Sequence, residues 1–236
     1  MAKVSLLNLY FMINEKLLKY FESYLTDNRK ALFKKVLEDR TRHFTVVLED
    51  IFQPHNASAV VRTCDIFGVQ DVHAIENKYT NKVSRHVAKG SQKWITSKRY
   101  KLDGDNTQIC LDSLREKGYQ IIATTPHNDS CLLQDFDITK KSAFVFGVEA
   151  EGVSDYVKDN ADGFLKIPMV GFTESLNISV AAAIILQDLT TKLRMSDVDW
   201  QLTKEEKEIL YFNWVKKTIK KVDKIEEHYH QNLKMQ

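Results

Sequence analysis

The chain has 236 residues, 43% of them apolar and 28% charged, with a formal net charge of +2. That is enough apolar material for one α/β domain with extensions and a sizeable core, and the total charge does not announce an RNA partner. The three cysteines, Cys64, Cys110 and Cys131, are widely spaced and form no C-x-x-C, which argues against a disulfide framework or a zinc site and fits a reducing cytoplasm.

The first residues, MAKVSLLNLYFMIN, are apolar but interrupted by Asn8 and Asn14. They predict neither a signal peptide nor a membrane span. Leu17, Leu18, Phe21, Tyr24 and Leu25 recur at helical spacing, and Thr26-Asp27-Asn28 offers a cap. Leu32, Phe33, Val36 and Leu37 make a second helical stripe ending near Asp39. Arg40, Arg42 and His43 follow, either as cations at a helix C-terminus or as phosphate contacts.

From Phe44 the pattern alternates. TVVLED, VQDVHAIE, WITSKRY, YQIIATT, AFVFG and GFLKIP read as short buried strands with helices between them, an α/β unit with a largely parallel sheet. The dinucleotide fingerprint G-x-G-x-x-G is absent, so a conventional Rossmann cofactor loop is not expected. After Arg194 the composition shifts, and Trp200 to Gln231 reads as one long polar helix packing through Leu210, Trp214 and Val222. Lys216, Lys217, Lys220 and Lys221 cluster on it, available to RNA.

Charge is unevenly distributed. Between Asn77 and Lys101 stand eight Lys or Arg (Arg85, Lys89 and Lys93 among them) and no acid, leaving about −6 for the rest of a chain whose net charge is +2. A soluble surface normally mixes signs, so this run favours contact with a polyanion.

Three segments concentrate the chemistry. In PHNASAVVRTCDIFGV (Pro54 to Val69), Asn56 sits where a helix N-cap is expected, Ala59, Val60, Thr63, Cys64 and Phe67 form a buried stripe, and Arg62 lies off that stripe, about 120° from Asn56. An isolated Arg there reads as a surface charge, but the long side chain can also reach a cleft shared with the Asn56 loop. In FVFGVEAEGVS (Phe144 to Ser154) a buried strand runs into Gly147-x-Glu149-x-x-Gly152, where Gly147 permits close approach of a ligand and Glu149 is either a first-turn acid or a site residue. In LKIPMVGFTESLNISVAAAIIL (Leu165 to Leu186) a strand end, a polar loop with Ser175 and Asn177, and a small-residue helix are packed together, an arrangement that α/β proteins use to build ligand sites. Ser175 and Asn177 also suit plain helix capping.

Together these segments resemble the signature motifs of the SpoU/TrmH family of RNA ribose 2′-O-methyltransferases. The resemblance runs from about Arg29 to Leu193, and GSQKW, IIATT and VHAIEN resemble its tRNA-acting branch. It implies a parallel sheet with helices on both faces and a C-terminal deep trefoil knot near residues 144–190, within a domain spanning 44–195. An RNA-contacting helical extension (1–43) would precede it and another (196–236) follow it. It further implies S-adenosylmethionine held by Thr124, Gly147, Ile167, Met169 and Leu176, and catalytic or substrate roles for Asn56, Arg62, Glu149, Ser175 and Asn177. RNA contacts are implied for Arg40, Arg42 and Lys93, and no metal is required. A homodimer with its site at the subunit interface is implied as well. The family's Arg-x-Arg after the knot aligns with Thr191 and Leu193; here Lys192 and Arg194 fall one position later, about 100° round the helix.

The expected reaction is methylation of a ribose 2′-hydroxyl, at guanosine 18 of the tRNA D-loop. Arg62 is then either the base or, because guanidinium stays protonated above pH 12, a charge that stabilises the developing alkoxide. Two alternatives stand beside it: the same chemistry on ribosomal RNA, and an RNA-binding protein with an idle methylation site. The first 40 residues, read as helices only, favour tRNA over ribosomal RNA.

Overall fold

The computed structural model describes residues 15–80, 84–125, 130–148 and 151–234. They form two compact units: residues Arg40–Gln201, and the described residues before Arg40 together with those after Gln201.

The larger unit is built on a seven-stranded sheet of β1 (Phe44–Glu49), β2 (Asp71–Ile75), β3 (Thr96–Tyr100), β4 (Gln120–Thr124), β5 (Cys131–Leu132), β6 (Ser142–Phe146) and β7 (Gly163–Lys166), in the order β3-β2-β1-β6-β4-β7-β5. Every neighbouring pair is parallel, as the alternating strand and helix patterns predict. Helices α3 (Pro54–Ile66) and α7 (Ile178–Arg194) share one apolar core with the sheet, through Val60, Cys64, Ala182, Ile185 and Leu189 against Val46, Phe144 and Ile122. On the other face α5 (Asn106–Arg115) and α6 (Asp155–Asn160) pack Cys110, Leu111, Leu114 and Val157 against Val47, Ile121 and Val145. Both faces of β1 and β6 are therefore covered, and each reads as a continuous apolar run.

Two strands differ from expectation. WITSKRY was expected to be buried, yet β3 is an edge strand, and of its residues only Tyr100 is buried. Its lysine and arginine blunt that edge, as charged side chains commonly do. The two-residue β5 carries too little pattern to be read from sequence, and it is held only by its pairing with β7.

The smaller unit contains α1 (residues 15–22), α2 (Asp27–Glu38), α8 (Lys204–Thr218) and α9 (Val222–Lys234). Thr26 caps α2 through the Arg29 N–H, and Thr203 with Glu206 forms a capping box on α8. Trp214 is buried edge-on against Phe33, ring centroids 5.7 Å apart, and the Tyr211 hydroxyl donates to Glu22 at 2.6 Å. The single helix expected from Trp200 to Gln231 is broken at Ile219–Lys221, with Lys221 at φ +57°. Lys216 and Lys220, and Lys217 and Lys221, would be like-charged i,i+4 pairs on an unbroken helix, which opposes continuation. After the break Lys216 reaches Glu226 of α9 at 2.6 Å.

Candidate active site

The strand order creates a switch point. The chain leaves β1 toward β2 on one side and leaves β6 toward β7 on the other, although β1 and β6 are neighbours. Ligands of open parallel sheets bind beyond the carboxyl ends of strands at such a point. Here the segments after β1 and β6 line a cavity of about 620 Å³ that includes Gln53, Asn56, Asn77 and Ser154. A second cavity of about 360 Å³ shares Val148, Glu151, Gly152, Val153, Lys158 and Ile178 with the first, so the two are contiguous.

The second cavity gathers most of the residues picked out in sequence: Thr124, Gly147, Ile167, Met169, Ser175 and Leu176 all line it. They arrive from the ends of β4, β6 and β7 and from the segment leading into α7. The Thr124 hydroxyl is anchored on the Val145 carbonyl at 2.9 Å. Gly147 has a steric reason to be glycine. A Cβ there would stand 2.0 Å from the Gly152 carbonyl oxygen and 2.3 Å from the Val153 nitrogen. Val148 and Gly152 close this turn by paired backbone hydrogen bonds of 3.0 and 2.8 Å, with Gly152 at φ +72°. Glu149 lies outside the described residues.

Asn56, which lines the first cavity, meets Asn177, which lines neither. Asn177 caps α7, its carboxamide oxygen accepting from the Ser179 N–H at 2.9 Å, while its Nδ2 donates to Asn56 Oδ1 at 3.1 Å. Asn56 in turn donates to the Gln53 side chain at 3.2 Å and is only 7% exposed. Asn56 is not the N-cap expected for α3. Gln53 holds that position and Pro54 opens the helix, which places Asn56 inside the first turn and frees its carboxamide to link α3 with α7.

Arg62 stands apart. It is exposed on α3, lines neither cavity and has no hydrogen-bond or ion-pair partner among the described residues. Six residues of helix separate it from Asn56, about 9 Å along the axis.

The basic residues divide into groups. Arg40, expected at phosphate, is corrected to an interior residue: it is 2% exposed and ion-paired with Asp65. Arg42 is half-buried against Asp71 at 3.0 Å. Burial raises the Asp71 carboxyl despite Arg42 lowering it. Lys89 and Lys93 are exposed around the short turn Ser91–Lys93, and Arg85 opens α4 (Arg85–Ala88), its side chain outside what is described. Lys192 is tied to Asp188 at 2.7 Å and to the Leu133 carbonyl at 3.0 Å. Arg194 donates to the Phe67 carbonyl at 2.8 Å and lies over Trp200. Thr191 is exposed but Leu193 is buried in the core, so that aligned position faces inward.

One cluster was not picked out in sequence. Glu49, at the end of β1 and 3% exposed, accepts from the Ser154 N–H (2.8 Å), the Ser154 hydroxyl (2.7 Å) and the Thr107 hydroxyl (2.9 Å). It fastens the segment after β6 to β1 and α5. The available signal was an acid closing an otherwise apolar strand, since carboxylates are rarely buried without partners. Among the described residues, no group of His, Cys, Asp and Glu could hold a metal ion, and no helix is long and apolar enough to cross a membrane.

Residues 43–187, which contain the sheet, both cavities and the Asn56–Asn177 link, match the SpoU rRNA Methylase family. The chain belongs to the SpoU methylase family. A tRNA (guanosine(18)-2′-O)-methyltransferase of Borreliella burgdorferi is 42% identical over 203 residues, 86% of this SpoU chain and 91% of the relative. The crystal structure of the Aquifex aeolicus TrmH/SpoU tRNA modifying enzyme superposes with a TM-score of 0.72 at 31% identity, covering 83% of this chain and 98% of that one. The SpoU methyltransferase AviRb of Streptomyces viridochromogenes, in complex with the cofactor AdoMet, shares the fold at a TM-score of 0.58 and 23% identity, over 69% of this chain and 65% of its own.

Proposed function

We propose that this SpoU protein is a tRNA (guanosine(18)-2′-O)-methyltransferase that uses S-adenosylmethionine. The observation that carries the reading is the pair of contiguous cavities at the switch point, with the Asn56–Asn177 hydrogen bond beside the first, in a chain that aligns with tRNA-acting relatives over most of its length.

The second cavity suits the methyl donor chemically. Apolar side chains (Phe146, Leu165, Ile167, Ile185) wall part of it, and Glu151, Glu174, Lys158 and Lys166 bring charges of both signs to its lining. Thr124, Gly147, Ile167, Met169 and Leu176 would hold the donor, and the bare Gly147 backbone leaves its wall free of side chain. When bound, S-adenosylmethionine supplies a methyl group on a positively charged sulfur, open to attack by a hydroxyl oxygen.

The protein's task is to place the ribose 2′-oxygen in line with that methyl and to ease departure of its proton. Asn177 and Asn56, locked to each other, offer fixed carboxamides for orienting the ribose. Ser175 and Glu149 would order the same loop. Arg62 would stabilise the developing alkoxide by its charge.

Arg62 lies outside its own chain's cavities, which favours a homodimer in which it serves the partner's site. Exposed apolar side chains support such an interface: Val170 and Phe172 are fully exposed, Leu176 precedes α7, and Val180 and Ile184 are exposed on it. The chain between β7 and α7 would form the trefoil knot, since α7 returns from the β7 side of the sheet to pack on α3. Lys89, Lys93 and Arg85 would meet RNA phosphate, as would the helices outside residues 44–195.

The deciding experiment incubates the protein with unmodified tRNA transcript, ribosomal RNA and labelled donor, and maps any methyl group by nuclease digestion and mass spectrometry. A 2′-O-methylguanosine at position 18, abolished in Arg62→Ala without loss of thermal stability, is expected. Label entering only ribosomal RNA moves the substrate; label entering neither overturns the reading. Mixed dimers of Arg62→Ala with a donor-site variant should recover activity if the site spans the interface, and uniform inactivity refutes that arrangement.

A further inference from the structure

The larger cavity carries a feature that methyl transfer does not itself require. At its mouth Phe52 and Tyr79 stand 67% and 42% exposed, edge to face with ring centroids 5.1 Å apart. Large aromatic side chains are costly to leave in water, and these two come from different segments, after β1 and after β2.

They are also deliberately held. Asp50, in the left-handed region at φ +50°, accepts from the Lys78 N–H at 2.7 Å and the Tyr79 N–H at 3.2 Å, strapping the second segment to the first. Asn77 secures the same segment from below, its Nδ2 donating to Thr107 at 2.9 Å. Lys78, between them, is 70% exposed and only loosely paired with Glu151 at 4.0 Å. An ordered aromatic pair beside a cation, at the opening of a cavity that also contains Asn56, has the composition of a single-strand nucleic-acid subsite.

Resting on the transferase reading, we infer that Phe52 and Tyr79 form a stacking platform for the base of the nucleotide whose ribose is methylated, with Lys78 beside its phosphate. A ribose held at Asn56 and Asn177 keeps its own base within one glycosidic bond of that cavity. Of the polar side chains nearest the platform, Asn77 and Asp50 are engaged as above, and the Gln53 side-chain oxygen accepts from Asn56. The two ring faces are what the platform offers a base, so it supplies affinity for an unstacked one.

The test is a binding cycle on the full chain. Affinities are measured by filter binding for an intact tRNA transcript and for one carrying an abasic ribose at position 18, with wild type and the Phe52→Ala/Tyr79→Ala variant. Loss of stacking is expected to weaken wild-type binding to the abasic transcript about ten-fold, and to weaken the variant's binding to intact transcript by about as much. The variant should then suffer no further loss on the abasic transcript. Tyr79→Phe and Phe52→Trp keep the rings and should keep the affinity. Unchanged S-adenosylmethionine affinity verifies the fold, and Phe52→Leu or Tyr79→Leu decides in the same way if the double variant fails that check. Wild-type affinity in the ring-deleted proteins, or an abasic penalty that persists in them, overturns the platform. Wild type that binds tRNA but transfers no methyl group overturns the transferase reading, while the cycle still decides the platform.

Discussion

Replacing Gly147 by alanine forces a methyl group into backbone. The new Cβ would lie 2.0 Å from the Gly152 oxygen and 2.1 Å from its carbonyl carbon, and no side chain can swing away to relieve this. The turn must open, losing the two Val148–Gly152 hydrogen bonds. At ~1 kcal/mol each, the loss is about 2 kcal/mol. For a chain of this size that corresponds to a melting temperature lower by ~4–8 °C. Because Gly147 and Gly152 line the donor cavity, S-adenosylmethionine affinity should fall with it. Gly152 provides the control. A Cβ there meets nothing within 4 Å, but the residue sits at φ +72°, so alanine costs ~1–2 kcal/mol through conformation alone. Asparagine, which tolerates that conformation, should recover part of the loss at position 152 and none at position 147. Scanning calorimetry and titration calorimetry with the donor read both effects. A Gly147→Ala protein with wild-type melting temperature and donor affinity would refute the steric argument.

Three further perturbations follow from the same site and its supports. Asn177→Ala should cost about 1 kcal/mol by uncapping α7 and reduce methyl transfer. Asn177→Asp should restore the cap but not the activity, because a carboxylate cannot donate to Asn56; recovered activity in the Asp variant counts against the carboxamide link. Glu49→Ala strands three donors around Ser154 and Thr107, and urea unfolding should register a loss of ~3 kcal/mol or more, with Glu49→Gln milder; a loss under ~1 kcal/mol shows that the cluster is dispensable. Burial, with Lys117 and Lys98 adding to it, pushes the buried His73 imidazole down to about 4 from an ordinary value near 6.5. The folded state therefore holds fewer protons than the unfolded one between those pH values, and stability complete above about pH 6.5 drains away as pH falls toward 4. The integrated effect is ~3 kcal/mol, and His73→Gln should flatten the pH profile in that window. An unchanged profile would place the acid sensitivity elsewhere.

Much of the framework was legible locally. Near-continuous apolar runs mark β1, β4 and β6 because burial on both faces demands them of the inner strands of a parallel sheet. Thr26 and Asn177 are helix caps by chemistry that a few residues contain. The motif residues Thr124, Gly147, Ile167, Met169, Ser175 and Leu176 were named in sequence through the resemblance to the SpoU/TrmH motifs, and each stands at a strand end or in the segment before α7. Yet no spacing along the chain says that they line one cavity. That required β6 to insert between β1 and β4, a pairing decided by how the two apolar faces of the sheet are covered. Distance along the chain hid the rest. Asn56 and Asn177 are 121 residues apart when they bond. Arg40 reads as a surface cation until Asp65 and the core close over it, and Arg62, in the same motif as Asn56, is turned away from the cavities by the pitch of α3. Sequence by itself determined most of the elements and the residue types they carry, since capping, periodicity and turn preference act within a few residues. Only the tertiary structure decided which of those groups meet, because burial and long-range hydrogen bonding depend on neighbours that the linear order does not specify.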